Sequence, residues 1–150
     1  MDINMLRPPV IAIDFDGTIT RQSSFVDFDE RQPPREHAGE VIRMLKSQGC
    51  KIIIWTCRAE EHYPDTIKYL EKHEIPFDKF NENIDGLPFK TSNKIFADVY
   101  YDNKNLGRLV DWAKMYQLIR VEFSDWFEYL HEKKKVYKCC LLYTSPSPRD

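Results

Sequence analysis

The 150-residue chain has no apolar stretch approaching the length of about 20 residues that a membrane-spanning helix needs. Its opening, Met1 to Pro9, carries charges at Asp2 and Arg7 and lacks the apolar core of a signal peptide. Neither sign of charge is in excess. Twenty-two Lys and Arg against 24 Asp and Glu leave a formal net charge of −2, which offers no electrostatic footprint for nucleic acid or an anionic membrane. The four cysteines, Cys50, Cys57, Cys139 and Cys140, have no metal-like spacing, so they read as reduced thiols of a cytoplasmic protein rather than a disulfide framework. His37, His62 and His73 show no mutual spacing that suggests a metal, and no internal repeat is present. What remains is an ordinary globular composition, 42% hydrophobic and 31% charged, long enough for one core.

The end of the chain reads separately. Cys140 to Asp150, with its Thr-Ser-Pro-Ser-Pro-Arg-Asp run, resembles a translated sequencing adapter, so a single domain is expected over 1–139, with 140–150 excluded from the fold. A Pro/Ser-rich disordered tail is the other reading.

The stretch that organises the rest is Val10-Ile11-Ala12-Ile13-Asp14-Phe15-Asp16-Gly17-Thr18. Its apolar run reads as a buried central strand, and it ends in two carboxylates one residue apart. Two acids at a strand end repel unless a proton or a cation intervenes. Mg²⁺ suits such a pair, because it takes oxygen ligands and is usually held by one or two carboxylates plus phosphate. An acidic Asp-Gly turn is the plainer alternative.

Further along, Ile19 to Pro34 is a polar insert too short for a domain, either a small flap or a connection. A helical pattern opening at Pro34 puts Ala38, Val41, Ile42 and Leu45 on one face, and Gly49 stops it. Lys51 to Thr56 is a second buried strand, followed by Cys57 and Arg58. A helix over Tyr63 to His73 would bury Tyr63, Ile67 and Leu70, and Phe77 to Phe80 is a short edge strand. Asn81 to Ser92 is a loop long enough to act as a substrate-facing lid. A third strand, Ile95 to Tyr101, ends at Asp102. Trp112, Met115 and Ile119 then form a helical stripe, and Ser124 would N-cap a final helix carrying Trp126, Phe127 and Leu130. Strand and helix alternate throughout, which predicts an α/β fold: a parallel sheet with helices on both faces, three layers in all.

Three strands thus end in polar groups: Asp14 and Asp16, Thr56 and Arg58, and Asp102. In a doubly wound sheet those ends share one edge, where ligands bind.

Asp14-Phe15-Asp16-Gly17-Thr18, Thr56 after a hydrophobic strand, and Lys94 before a strand ending at Asp102 resemble the haloacid dehalogenase (HAD) superfamily of phosphotransferases. The run Ser92 to Gly107 looks like its small, nearly capless bacterial and phage-borne members. The resemblance spans Val10 to Ile119 and implies a Rossmann-like core with minimal cap and a Mg²⁺-dependent phosphatase. It would make Asp14 the nucleophile that becomes an aspartyl-phosphate, and Asp16 the acid and base. Thr56, with the amides of Cys57 and Arg58, would hold a phosphoryl oxygen. Lys94 would neutralise charge between Asp14 and the phosphoryl group, with Lys90 as fallback, while solvated surface charge is the plainer reading of Lys90, Lys94 and Lys104 alike. Asp14, Asp16 (through its backbone carbonyl) and Asp102 would ligate Mg²⁺. Arg58 would either grip substrate phosphate or pair with Glu60 or Glu61, and Asp98 would either complete an Asp-x-x-x-Asp acidic motif or, facing the strand's start, support the site from behind or be structural. Many relatives carry a second Asp after the metal-binding one. Here it is Asn103, which removes a negative charge.

Two other classes fit parts of this pattern. A response-regulator receiver or other non-catalytic phosphate-binding module also uses an acidic Mg²⁺ pocket, but places its phosphorylated Asp on a later strand than its acidic pair. A polynucleotide-end phosphatase would need a basic track that the charge balance does not suggest. The substrate is therefore expected to be a phosphorylated small molecule or macromolecule, without nucleic acid or membrane as partner. The aromatic C-terminal helix offers a surface for a homo-oligomer.

Overall fold

Val10–Ile13 is apolar at every position, and a strand of that kind is stable only where both faces of the sheet are covered. The computed structural model describes residues 6–144, with side chains as far as Lys134, and puts this strand inside the sheet. Here β1 (Val10–Ile13) pairs in parallel with β2 (Lys51–Ile54) on one side and with β4 (Val99–Tyr101) on the other. The two-residue β3 (Lys79–Phe80) extends the β2 edge, giving the order β3-β2-β1-β4. The chain builds outward from β1 in one direction and then returns to its other flank. The crevice between β1 and β4 is therefore the topological switch point of the sheet.

Alternation along β1 divides the core. Ile11 and Ile13 join Ile52 and Ile54 against all four helices: α1 (Ala38–Ser47), α2 (Tyr63–Lys72), α3 (Trp112–Glu122) and α4 (Ser124–Thr144). Val10, Ala12 and Ile53 face the other way, where Ile95 and Ala97 bury against them, with Ile84 and Phe96 packed around. Among the described residues no helix covers that second face; irregular chain crosses it. Asn83 pins this segment by accepting from the Phe96 amide (2.8 Å), and the Tyr100 hydroxyl donates to the Ile95 carbonyl (2.6 Å) and accepts from the Ala97 amide (3.1 Å). The α/β Rossmann-like parallel sheet is thus present, but its second outer layer is extended chain. The Asn81–Ser92 stretch, broken by Gly86 and Pro88, has too few apolar residues at helical spacing to form one.

Four local expectations shift. The third strand begins at Val99, not Ile95. Asp98 interrupts it by taking the Val10 amide (2.8 Å) and a two-pronged pair from Arg7 (2.6 and 2.7 Å), which makes it a structural clasp. The first helix begins at Ala38 rather than Pro34, because Arg35 is tied back to the first loop through its amide to the Ile19 carbonyl (2.8 Å). The second helix buries Thr66, Tyr69 and Leu70, turning Thr66 inward for a reason that the site supplies. Ser124 is already the first residue of α4, since Phe123 is the single break between α3 and α4. α4 runs on through Thr144, and the remainder of the proposed tail, 145–150, lies outside the described residues.

The insert after β1 contains one 3₁₀ turn, Phe25–Asp27, whose Val26 amide is capped by the Ser24 hydroxyl (3.2 Å). No cap domain is inserted among the described residues. None of their helices is long and apolar enough to cross a membrane.

Candidate active site

A cavity of about 490 Å³ opens at the carboxyl edge of β1, β2 and β4. Asp14, Asp16, Thr56, Cys57, Arg58 and Asp102 line it, so six of the seven residues singled out from the sequence come together. Ser23, Phe25, Ala59, Glu61, His62 and Lys104 complete its wall. Lys94 is the exception. It is exposed, with its Nζ 4.7 Å from the centre of the Tyr100 ring, and the lysine that borders the cavity is Lys104.

The first loop is shaped for close approach. Gly17 has φ +82°, and a Cβ there would lie 2.9 Å from both the Asn103 Cγ and the Ser23 Cα, so only glycine fits. The turn beyond it folds back on the Phe15 carbonyl, which accepts the amides of Ile19 (3.0 Å) and Thr20 (3.1 Å). Thr18 is thereby delivered to the interior. Its hydroxyl donates to Asp14 Oδ2 (3.1 Å) and accepts from the Asn103 amide (2.9 Å), linking the β1 loop to the β4 loop. Behind it, the Trp112 indole donates to the Thr18 carbonyl (3.1 Å), so α3 braces the loop from the core.

Asp14 and Asp102 face each other across the switch point. Burial first, and then the charge of Asp102, push the Asp14 carboxyl up from 3.8 to about 7, partly opposed by the Thr18 hydroxyl. The side-chain amide of Asn103 sits at this focus. Its cavity-facing atom lies 2.9 Å from Asp14 Oδ2, 3.2 Å from the Asp16 carbonyl and 3.3 Å from Asp102 Oδ1. Three oxygens from three residues thus converge on one point.

That convergence tests whether the residues fit a cation. No three His, Cys, Asp or Glu side chains converge among the described residues. The donor set is two carboxylates and a main-chain carbonyl. It is all oxygen, and such a set suits Mg²⁺, which keeps several waters and shares itself with a phosphate.

Asp16 is held differently. Both its oxygens accept from Arg58, at 2.8 Å from Nε and 2.7 Å from Nη2, while Nη1 donates to the Thr66 hydroxyl (3.1 Å). This third bond is why α2 turns Thr66 inward. The guanidinium lies beneath aromatic rings, 4.5 Å from the centre of Phe28, 4.8 Å from Phe15 and 5.8 Å from Phe25. Neither sequence reading of Arg58 anticipated this geometry. It engages neither Glu60 nor Glu61, and its fork is closed on Asp16. Among the sequence signals only the aromatic cluster of the insert, Phe25 and Phe28, hinted at a buried cation.

Thr56 is buried, and its hydroxyl accepts from the Arg58 amide (3.2 Å). Asn81 was missed as part of the site. From a left-handed backbone (φ 54°) it accepts the Thr56 amide (2.8 Å) and donates to the Thr56 carbonyl (2.9 Å) and the Tyr63 hydroxyl (2.7 Å). Asn tolerates that conformation better than most residues, and its place just past an edge strand was the available signal. The rest of the loop expected to be a lid, 82–92, contributes nothing to the cavity wall and turns Ile84 onto the second face of the sheet.

The chain as a whole is similar to known proteins. A model of the haloacid dehalogenase-like hydrolases matches residues 11–144. The solved structure of a conserved protein from Bacteroides thetaiotaomicron aligns with a TM-score of 0.67 at 25% identity, over 77% of this chain and 93% of that one. A crystal structure from Vibrio cholerae aligns more loosely, with a TM-score of 0.45 at 20% identity over 81% and 98% of the two chains. No curated protein matches significantly. With the family model covering both acidic loops and every helix, the chain belongs to the haloacid dehalogenase-like hydrolases.

Proposed function

We propose that the chain is a phosphomonoesterase that requires Mg²⁺ and works through an aspartyl-phosphate on Asp14. The observation that carries the reading is the meeting of Asp14, the Asp16 carbonyl, Asp102 and Thr56 in one cavity at the switch point. Bound there by Asp14, Asp102 and the Asp16 carbonyl, Mg²⁺ would offset the charge of the acids and of the phosphoryl oxygens.

The protein's own part has two steps. An Asp14 carboxylate oxygen attacks phosphorus, the bond to the ester oxygen breaks, and Asp16, released from the Arg58 fork and protonated from solvent, gives its proton to the departing oxygen. Water then attacks the same phosphorus, Asp16 takes its proton, and the bond to Asp14 breaks to release phosphate. Thr56 donates its hydroxyl to a phosphoryl oxygen, beside the Cys57 amide. The leaving group rests against Phe25 and His62, whose ring centres stand 4.9 Å apart at the cavity wall. With no cap domain among the described residues to close over it, the site suits phosphorylated small molecules and macromolecular phosphates alike.

The test is phosphate release from 4-nitrophenyl phosphate with Mg²⁺ and with EDTA. Turnover in Mg²⁺ alone supports the reading. Binding of a phosphate analogue without turnover would favour a non-catalytic module instead.

The two lysines separate in a second assay. Lys104→Ala is expected to lower kcat/KM by about 10–100-fold, through loss of a cation beside the phosphoryl group, and Lys94→Ala by less than about threefold. The reverse order would mean that Lys94 leaves the Tyr100 ring and swings in when substrate binds.

A further inference from the structure

The end of the cavity that receives the leaving group is built by two short 3₁₀ turns, Phe25–Asp27 of the insert and Glu60–His62 ahead of α2. They meet where the Phe25 and His62 rings stand 4.9 Å apart. The Phe25 side of this contact is 47% exposed, which leaves a flat apolar face beside a polar site. The same two turns carry three exposed acids, Asp27, Glu60 and Glu61, and neither Lys nor Arg. Glu61 lines the cavity, with His62 Nε2 3.3 Å from its carboxylate. Nearby cations are engaged elsewhere. Arg31 forks onto Asp29 (2.9 and 3.0 Å), and Arg35 holds the Gly17 and Thr20 carbonyls (2.9 and 3.2 Å). The Arg58 side chain is buried under the rings, where Thr66 holds it (3.1 Å) independently of Asp16. Lys104 comes from the loop after β4, whereas the Glu60–His62 turn follows β2 on the other flank of β1.

We propose that this wall selects phosphate monoesters whose leaving group is flat and carries no negative charge, with a cationic one favoured. The inference rests on the phosphatase reading and deepens it, by naming what the ester oxygen is attached to. A planar group packs on the Phe25 ring with closer contact than a puckered ring of equal size. A positive charge on that group is drawn to Glu61, modestly, because the carboxylate is well solvated. A negative charge meets Glu61 with the opposite sign, and among the described residues this wall offers it no free cation. Bisphosphates and phosphorylated carboxylic acids are thereby disfavoured.

The experiment compares kcat/KM at pH 8 in Mg²⁺ for four esters of similar leaving-group acidity: benzyl, cyclohexylmethyl, 4-carboxybenzyl and 4-(aminomethyl)benzyl phosphate. Wild type is expected to prefer benzyl over cyclohexylmethyl by about threefold to tenfold, and Phe25→Ala to reduce that ratio to about one. The aminomethyl ester should exceed the carboxy ester by about fivefold to twentyfold, and Glu61→Gln should bring the two within about threefold of each other. Each comparison is a ratio within one variant, so a general loss of activity cancels. Should Phe25→Ala fail to fold, the wild-type ratios and the exposed Glu61 position still decide. A wild type that shows no preference for the flat ring overturns the inference. So does a carboxy ester turned over as fast as benzyl phosphate or faster, which would mean that Arg58 leaves the rings to grip a second anion. If wild type releases no phosphate from any ester, the phosphatase reading fails separately. The same esters, then unreacted, are titrated calorimetrically, and the order of their dissociation constants is judged by the same rule. Absence of binding by all four overturns the inference as well.

Discussion

Asp14→Asn is expected to abolish phosphate release, by at least about a thousandfold, and at the same time to stabilise the metal-free protein at pH 8. The first effect follows from removing the attacking oxygen's charge. The second follows from the site's electrostatics. In the folded chain, burial and then Asp102 raise the Asp14 carboxyl from 3.8 to about 7, so the folded state holds this proton more tightly than the unfolded state does. Stability from that proton is complete below about pH 4 and is lost as pH rises toward 7, above which the full cost of the buried anion remains. A shift of this size corresponds to about 2–4 kcal/mol once partial access of solvent is allowed for. Asn has no proton to lose. The variant's advantage should therefore open between pH 4 and 7 and stay level above it, reaching on the order of 5–10 °C in melting temperature. Mg²⁺ should narrow the gap, by stabilising wild type far more than the variant. Melting curves at pH 4 and 8, in EDTA and in Mg²⁺, check all of this. Equal stability at pH 8 in EDTA would show that ionised Asp14 carries no net cost, from burial or from Asp102.

Asp16→Asn should behave in the opposite way and damage the fold. The Arg58 side chain is 3% exposed and Asp16 15%, so the pair is shielded, and removing the carboxylate strands a guanidinium beneath three phenylalanine rings. Breaking such a pair costs about 3–5 kcal/mol. Loss of activity in this variant would then mix chemistry with unfolding. A double variant separates them. Asp16→Asn with Arg58→Met replaces the ion pair by an amide and an unbranched apolar chain that suits the aromatic slot, so most of the stability should return while activity does not. The remaining activity should also depend on the leaving group, falling less for 4-nitrophenyl phosphate, whose phenolate departs without a proton, than for an alkyl phosphate. A double variant as unstable as Asp16→Asn alone would mean that the fork of Arg58 holds the insert through Thr66 and the rings, and not through Asp16.

Much of this site was legible because each acid follows a strand. The apolar runs before Asp14 and Thr56 declared strands buried on both faces, and parallel strands put their carboxyl ends on one edge. Asp102 came with them, although its strand is only Val99–Tyr101. What escaped were contacts with no local pattern. Arg58 reaches Asp16 across 42 positions, and a charged residue beside Glu60 and Glu61 gives no sign that its partner lies so far away. Asn81 meets Thr56 across 25. Lys94 was placed by spacing, but the segment before β4 leaves the strand path at Asp98 to cover the second face, which carries that lysine away from the cavity. The close approach of Asn103 to the first loop could not be read at all, since it depends on Gly17 leaving room beside it.

The unequal covering of the sheet sets which part of the molecule opens first. Among the described residues, the helical face buries nineteen in one cluster and the other face buries five. Local opening should therefore begin along Ile84 to Ala97, where few apolar contacts oppose it. That segment leads directly into β4, and β4 ends at Asp102 and Asn103. A ligand that ties Asp102 to Asp14 fastens the end of the weakest layer to the centre of the strongest. Amide exchange at Phe96 and Asp98, on a face remote from the cavity, should consequently slow when the cavity is filled. The thin layer makes occupancy of the site readable from the far side of the sheet.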